Sequence, residues 1–357
     1  MEKWMENVRR VTPYTPGEQP KKPGVIKLNT NENPYPPSPG VEQVLCGMDV
    51  ERLRLYPDPT ASMLVKAIAE EKKLRPDQVF VGVGSDDVLA MCFLTFFNGS
   101  KPIFFPDITY SFYEVWAKMF GIPYETKALN ENFDIVPEDY EPANGGVIIA
   151  NPNAPTGVEL PPRELEQIIK YNKDVVVIVD EAYVDFGATS ALPMLNRHDN
   201  LIVVQSFSKS RSLAGMRIGY AMASDELIKC LNDVKYSFNS YTMDQTAILA
   251  GTVSMQDWRY FEETMERIRE TRQRTQERLA ELGFSFRDSK ANFIFATHES
   301  CPAKELYEAL KKRDIYVRYF DKPRIDNFIR ITVGTDAEME FLLTYLEEYL
   351  ESREHAE

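Results

Sequence analysis

Between residues 60 and 222 the chain alternates two apolar patterns. Short runs are apolar at nearly every position, Val-Val-Val-Ile-Val at 175–179 being the purest. Longer stretches carry apolar residues every three or four positions, with charges between them. The first pattern predicts strands buried on both faces, the second amphipathic helices. A helix is expected over 60–73, with Leu64, Ile68 and Ala69 on one face, then a strand at 78–83 and a helix through Phe97. A strand at 102–105 and a helix at 110–120 follow, with further strands at 146–150, 175–179, 201–205 and 218–222. Strands apolar on both faces and separated by helices predict an α/β fold: a large, mainly parallel sheet covered on both sides.

The pattern changes on either side of this region. From Met255 to Leu282, Trp258, Phe261, Met265, Ile268, Leu279 and Leu282 recur at helical spacing. Beyond Gly283 the order is strand (292–296), helix (303–313), strands (315–319 and 328–333) and helix (337–350), a small α+β unit. The first 40 residues are rich in Pro, Asn and Gly, which excludes a regular helix or a central strand. They form either a disordered tail or an arm docked through Tyr14, Ile26, Leu28 and Tyr35. The expected organisation is an arm contributing to the small domain (1–44), a large domain (45–270) and a small C-terminal domain (271–357).

Composition narrows the function. The 357 residues hold 41 Lys+Arg against 55 Asp+Glu, a net charge of −14. That balance argues against a nucleic-acid or anionic-membrane binder. It leaves room for a small anion held by a few arginines. There is no run long enough for a membrane span and no signal-peptide pattern at the start. Cys46, Cys92, Cys230 and Cys301 form no C-x-x-C pair, so a reduced, cytoplasmic protein is expected. His198, His298 and His355 are isolated, and no metal site is expected.

Three motifs each follow an expected strand, where ligands of open α/β sheets bind. Gly82-Val83-Gly84-Ser85-Asp86 leads into a helix and offers backbone N–H groups to an anion. It also reads as an ordinary strand-to-helix turn. Asp180-Glu181-Ala182-Tyr183 puts a carboxylate at the end of a buried strand. That carboxylate is either a helix cap or the partner of a protonated ligand nitrogen. Ser206-Phe207-Ser208-Lys209-Ser210-Arg211-Ser212-Leu213-Ala214-Gly215-Met216-Arg217 combines hydroxyls, an amine and two guanidiniums with small residues that imply close packing.

Together with Asn151-Pro152-Asn153-Ala154-Pro155-Thr156-Gly157, these motifs resemble the fold-type I, aspartate-aminotransferase-like pyridoxal-phosphate enzymes over nearly the whole chain. The resemblance implies pyridoxal 5′-phosphate as cofactor, with Lys209 forming a Schiff base to its aldehyde. It implies that Asp180 pairs with the ring nitrogen, that Tyr183 donates to the phenolic oxygen and that Tyr110 stacks on the ring. Gly84, Ser85 and Asp86, with Ser206, Ser208 and Arg217, would hold the phosphate. Tyr56 would reach the phosphate of a neighbouring subunit, which implies a homodimer with shared sites. One position departs from the pattern: the family's asparagine beside the phenolic oxygen is Ala154 here. Asn153 or Asn151 substitutes, or Tyr183 works alone.

The chain ends suggest a branch of that family. Leu28-Asn29-Thr30-Asn31-Glu32-Asn33-Pro34, Thr12-Pro13-Tyr14 and Arg330-Ile331-Thr332-Val333-Gly334-Thr335 resemble the signatures of its histidinol-phosphate branch. The resemblance implies amino transfer between glutamate and imidazole-acetol phosphate, with Tyr14, Asn31, Arg318 and Arg330 around the substrate. Arg330 can fork onto a carboxylate or a phosphate. For Arg318 a solvated strand-end charge is the competing reading. An aromatic-amino-acid aminotransferase and a threonine-phosphate decarboxylase share the expected fold. A transcription regulator keeping such a domain as a sensor would need a DNA-binding module, for which the first 40 residues are too short.

Overall fold

The computed structural model describes residues 3–354, so His355 lies outside the described residues. Its largest sheet has seven strands: β2 (Val79–Gly82), β3 (Ile103–Pro106), β4 (Tyr124–Lys127), β5 (Val147–Ala150), β6 (Val177–Asp180), β7 (Leu201–Ser206) and β8 (Gly219–Met222). β1 (Ile26–Lys27) lies elsewhere. The order across the sheet is β2-β8-β7-β6-β5-β3-β4. The run from β7 to β4 is parallel; β8 is antiparallel to both its neighbours.

The two-residue period of a strand divides this sheet between two cores. Val147, Ile149, Val177, Val179, Leu201 and Val203 face the side of α2 (Ser62–Lys72), α5 (Pro162–Tyr171) and α7 (Gln245–Gln256), helices that follow α1 (Pro39–Cys46) in the chain. Ile148, Ile178, Ile202 and Val204 face α3 (Ser85–Phe96), α4 (Phe112–Phe120) and α6 (Asp225–Phe238). Asp180 follows Ile178 by two positions and shares its face, so the register itself aims that carboxylate at α4.

The expected α/β class is the one observed, and each expected strand of the large sheet is present. β4 has no counterpart among them. Its Tyr-Glu-Thr-Lys sequence is half-exposed at the sheet edge and lacks the apolar run that marks the others.

The C-terminal region builds an antiparallel sheet, β12 (Arg318–Tyr319), β13 (Ile329–Thr332), β10 (Phe293–His298) and β9 (Phe284–Phe286), in that order. The expected strand at 315–319 divides in two: β11 (Ile315–Tyr316) pairs in parallel with β1, and β12 joins the four-stranded sheet. Leu28, Ile294, Ile315, Ile331, Leu342 and Leu346 share one core with α9 (Ala303–Lys312), α10 (Asp336–Glu354) and the end of α8 (Trp258–Glu281). Leu28 thus ties the start of the chain to its end. The arm before it docks: Tyr14 stacks on Phe112 with ring centroids 4.3 Å apart. All four cysteines are free thiols. No described helix is long and apolar enough to cross a membrane.

Candidate active site

The carboxyl ends of the parallel strands meet at Lys209 and Asp180. Lys209 sits in the loop after β7, and its Nζ donates to the Thr30 carbonyl oxygen at 2.9 Å. The loop is clamped from the same side, because Asn33 Nδ2 donates to the carbonyls of Lys209 and Ser210 at 3.0 and 3.2 Å. Behind it, Ser210 Oγ donates to Asp185 at 2.5 Å.

Asp180 is fully enclosed at the end of β6. Its Oδ2 accepts from the Tyr113 hydroxyl at 2.8 Å, and its Oδ1 accepts from the Ala182 N–H at 3.2 Å. Burial pushes the acid up to about 6, against the pull of these two donors. The adjoining Glu181 points to the other side, onto Gln205, Ser190 and the Ala191 N–H, and burial raises it to about 7. With two donors and no cation among the described residues, the buried Asp180 carboxylate is short of a positive partner. The structure therefore suits a cationic group arriving at Asp180 from outside the chain.

The anion-binding end lies at the start of α3. Gly84 has φ +86°, and a Cβ there would collide with the Arg217 guanidinium. A Cβ on Gly219 would strike the Gly84–Ser85 backbone. Strand β8, the α3 entrance and Arg217 therefore pack around a tight turn that only glycines permit. Arg217 reaches Ser208 Oγ at 3.4 Å, and its Nη2 lies 3.5 Å from Asp86 Oδ2. Ser206 Oγ accepts from the Ser208 N–H. The first N–H groups of a helix have no intrahelical acceptors and carry the positive end of its dipole. The turn, Ser206, Ser208 and Arg217 together form a cradle for a dianion. Tyr110 closes its edge: its hydroxyl donates to Asp86 at 2.7 Å and its ring meets Tyr113 edge-on.

Opposite this cradle stand two arginines. Arg318 and Arg330 face each other across the β12–β13 ladder. Like charges directly opposed on a sheet repel. Arg330 donates to the Asn29 carbonyl at 3.1 Å, yet its buried Nε has no partner among the described residues. Burial lowers its affinity for a proton, and Arg318 adds to that effect. Gly17 of the arm runs beside Arg318 and Thr30. An anion accepting from both guanidiniums would relieve the repulsion and satisfy Nε.

Of the residues expected from sequence, Lys209, Asp180, Tyr183, Gly84, Ser85, Asp86, Tyr110, Ser206, Ser208 and Arg217 line one connected region, with Tyr14, Arg318 and Arg330 on its outer side. Three positions behave differently. Asn153 spends its carboxamide tying its loop to the one after β3, donating to Ile108 O and Thr156 and accepting from Thr109, while Asn151 is locked to Leu160. Asn31 donates to the Tyr183 hydroxyl at 2.9 Å. Tyr56 stands apart, 81% exposed and stacked on Tyr241. Nothing in the local pattern marks Tyr113, or Thr30 and Asn33 as holders of Lys209. The density of asparagine in residues 28–34 is their one available signal.

Known proteins resemble this chain in sequence and fold. The sequence profile of the family "Aminotransferase class I and II" matches residues 23–346. The histidinol-phosphate aminotransferase of Acinetobacter baylyi is 52% identical over 351 residues, 97% of each chain. The crystal structure of the histidinol-phosphate aminotransferase from Clostridium acetobutylicum superposes with a TM-score of 0.84 at 24% identity, covering 92% of this chain and 100% of that one. The enzyme of the same name from Sinorhizobium meliloti, in complex with pyridoxal-5′-phosphate, gives 0.81 at 22% identity, covering 92% and 91%.

Proposed function

This chain belongs to the class I and II aminotransferase family, and from that premise we propose that it is a pyridoxal-phosphate-dependent histidinol-phosphate aminotransferase of histidine biosynthesis. It would move an amino group between glutamate and imidazole-acetol phosphate. The single observation that carries the substrate choice is the pairing of Arg318 with Arg330, whose buried Nε lacks an acceptor among the described residues. Two forks in one pocket suit the phosphate of one substrate and the carboxylate of the other.

The site residues fit the cofactor. Asp180 has no cationic partner among the described residues, the Gly84–Arg217 turn presents helix-end N–H groups and a guanidinium held only loosely by Asp86, and Lys209 offers an amine. Lys209 would hold the cofactor covalently and Asp180 would face its ring nitrogen. Tyr183 would donate to its phenolic oxygen, and Tyr110 would cover its face. The α3 entrance at Ser85 and Asp86, with Ser206, Ser208 and Arg217, would receive its phosphate. Bound there, the cofactor supplies an electron sink for the carbon that bears the substrate's amine.

The remaining work falls to the chain. Arg330 and Arg318 orient the substrate by its distal anion, with the arm at Tyr14 against the same pocket. The Lys209 amine, which lies at the Thr30 carbonyl here, would take the proton from the amine-bearing carbon as general base. Thr30 and Asn33 keep that amine within a short swing of its resting place.

We read the working unit as a cytoplasmic homodimer. Tyr56, Leu53, Leu55, Phe238 and Tyr241 are each exposed on the single chain, and Tyr56 stacks on Tyr241. A second copy would cover them and bring Tyr56 to the neighbouring phosphate. We propose an arm that contributes to the small domain at 1–44, a large domain at 45–270 and a small C-terminal domain at 271–357, with the last boundary within α8.

Initial rates with histidinol phosphate, phenylalanine and threonine phosphate, each with 2-oxoglutarate, test the reading. Histidinol phosphate should be preferred by kcat/KM. A negligible rate with it would refute the substrate assignment.

A further inference from the structure

Asn31, Thr332 and Tyr183 form one hydrogen-bond chain. The Asn31 N–H donates to Thr332 Oγ1 at 3.0 Å, so that hydroxyl has its own proton free. Thr332 Oγ1 gives it to Asn31 Oδ1 at 3.1 Å. In this orientation the carboxamide turns its Nδ2 to Tyr183 Oη, 2.9 Å away. An NH₂ group only donates, so Tyr183 Oη must accept. Its single proton then points elsewhere, and no described residue takes it.

The chain is built rather than incidental. Asn31 is 1% exposed and holds φ +57°, a conformation asparagine tolerates better than most residues. Asn292 Nδ2 fixes its carbonyl at 3.0 Å. Thr332 follows Arg330 by two positions on β13 and is itself buried. On the far side of Tyr183 stands Ala154, packed with Ala291 and Phe293 and carrying no polar group. Asn151 and Asn153, the two candidates to compensate for that alanine, have their carboxamides engaged elsewhere.

We propose that Asn31, set by Thr332, is a positioning residue that obliges the Tyr183 hydroxyl to donate into the active site. This rests on the cofactor reading above, in which that hydroxyl meets the phenolic oxygen. Asn31 would thus act through Tyr183 rather than on the substrate. It would make one well-aimed donor do what a tyrosine and an asparagine share in the common family pattern.

The test uses the holoenzyme without substrate and follows its visible absorbance against pH. A donor at the phenolic oxygen stabilises that oxygen's anion and lowers the pH at which the adjacent lysine-linked nitrogen loses its proton. Asn31→Gly keeps the positive φ and removes the amide; it should raise the midpoint by about half to one pH unit. Thr332→Val should raise it by less, and Tyr183→Phe by at least as much as Asn31→Gly. In the Tyr183→Phe background, Asn31→Gly should add nothing. Lys209, Asp180, Tyr110, Tyr113, Glu32 and Arg330, the charged and titratable groups nearby, are unchanged throughout. If the wild type titrates but Asn31→Gly does not move the midpoint, or moves it equally without the Tyr183 hydroxyl, the proposal fails alone. A fall in melting temperature with an unmoved midpoint would likewise overturn it. A wild type with no visible band would overturn the cofactor reading, and this proposal with it.

Discussion

Tyr113 and Asp180 are both enclosed, and the tyrosine hydroxyl donates to the carboxylate at 2.8 Å. The pair explains how a carboxylate survives at the end of a strand whose other residues are apolar. Tyr113 supplies a donor but no charge, so Asp180 still titrates near 6. Its folded-state value is raised above the unfolded one of about 3.9. The stability linked to its neutral form is present below about pH 4 and lost as pH rises through about 6. Glu181 acts in the same sense up to about 7. The cofactor-free protein should therefore lose stability between about pH 4 and 7, as chemical denaturation across that range would measure.

Asp180→Asn removes one of these buried charges. Near pH 7.5 the cofactor-free variant should be more stable than the wild type by about 2–3 kcal/mol, with the difference closing toward about pH 4. Cofactor retention should move the other way, because the ring nitrogen loses its counter-charge. Equilibrium unfolding and cofactor release on dilution read the two effects separately.

Gly84→Ala should damage the phosphate cradle without unfolding the sheet. The new methyl displaces Arg217 and strains a backbone held at φ +86°. Cofactor affinity, followed by fluorescence titration, should fall by about tenfold or more, the worth of one lost charge-assisted hydrogen bond. The circular dichroism of the cofactor-free protein should be retained.

Arg330→Gln should lower kcat/KM for histidinol phosphate and for glutamate alike, by roughly tenfold to a hundredfold, the range of one or two charge-assisted hydrogen bonds. Arg318→Gln should cost less, since it is Arg330 that is anchored to the Asn29 carbonyl. Steady-state kinetics on both substrates checks the ranking.

Tyr56→Phe should leave the chain dimeric by size-exclusion chromatography and weaken cofactor binding about tenfold. A wild-type chain that is monomeric and still binds cofactor tightly would contradict the shared-site account.

Much of the fold is legible in the residues because it rests on local pattern. Residues 146–150 and 201–205 read as buried strands, and the motifs after them fall where strand ends converge. Asp180 and Lys209 stand out as polar residues where burial is costly. Tyr113 does not, because a tyrosine on the apolar face of a helix reads as core; only the β6 register reveals what its hydroxyl meets. Asn31 is expected at the substrate but bonds Tyr183 instead. That contact joins the arm to the large sheet, and no spacing along the chain encodes it. Asn153 is expected to help hold the cofactor, but its carboxamide bonds Ile108, Thr109 and Thr156, tying its turn to the loop after β3. The arm's docking is an open alternative in the sequence, decided by the Tyr14–Phe112 stack and the Leu28 core.

The role of Lys209 as the base for amino transfer from histidinol phosphate is open to a direct measurement. Mixing the purified holoenzyme with histidinol phosphate alone, in a stopped-flow spectrophotometer, tests it in a single turnover. The visible band of the lysine-bound cofactor should disappear with one equivalent of imidazole-acetol phosphate formed per site, and 2-oxoglutarate should restore it. Lys209→Ala should show neither step. Retention of the wild-type band with histidinol phosphate, or turnover by Lys209→Ala at a near wild-type rate, would contradict the account.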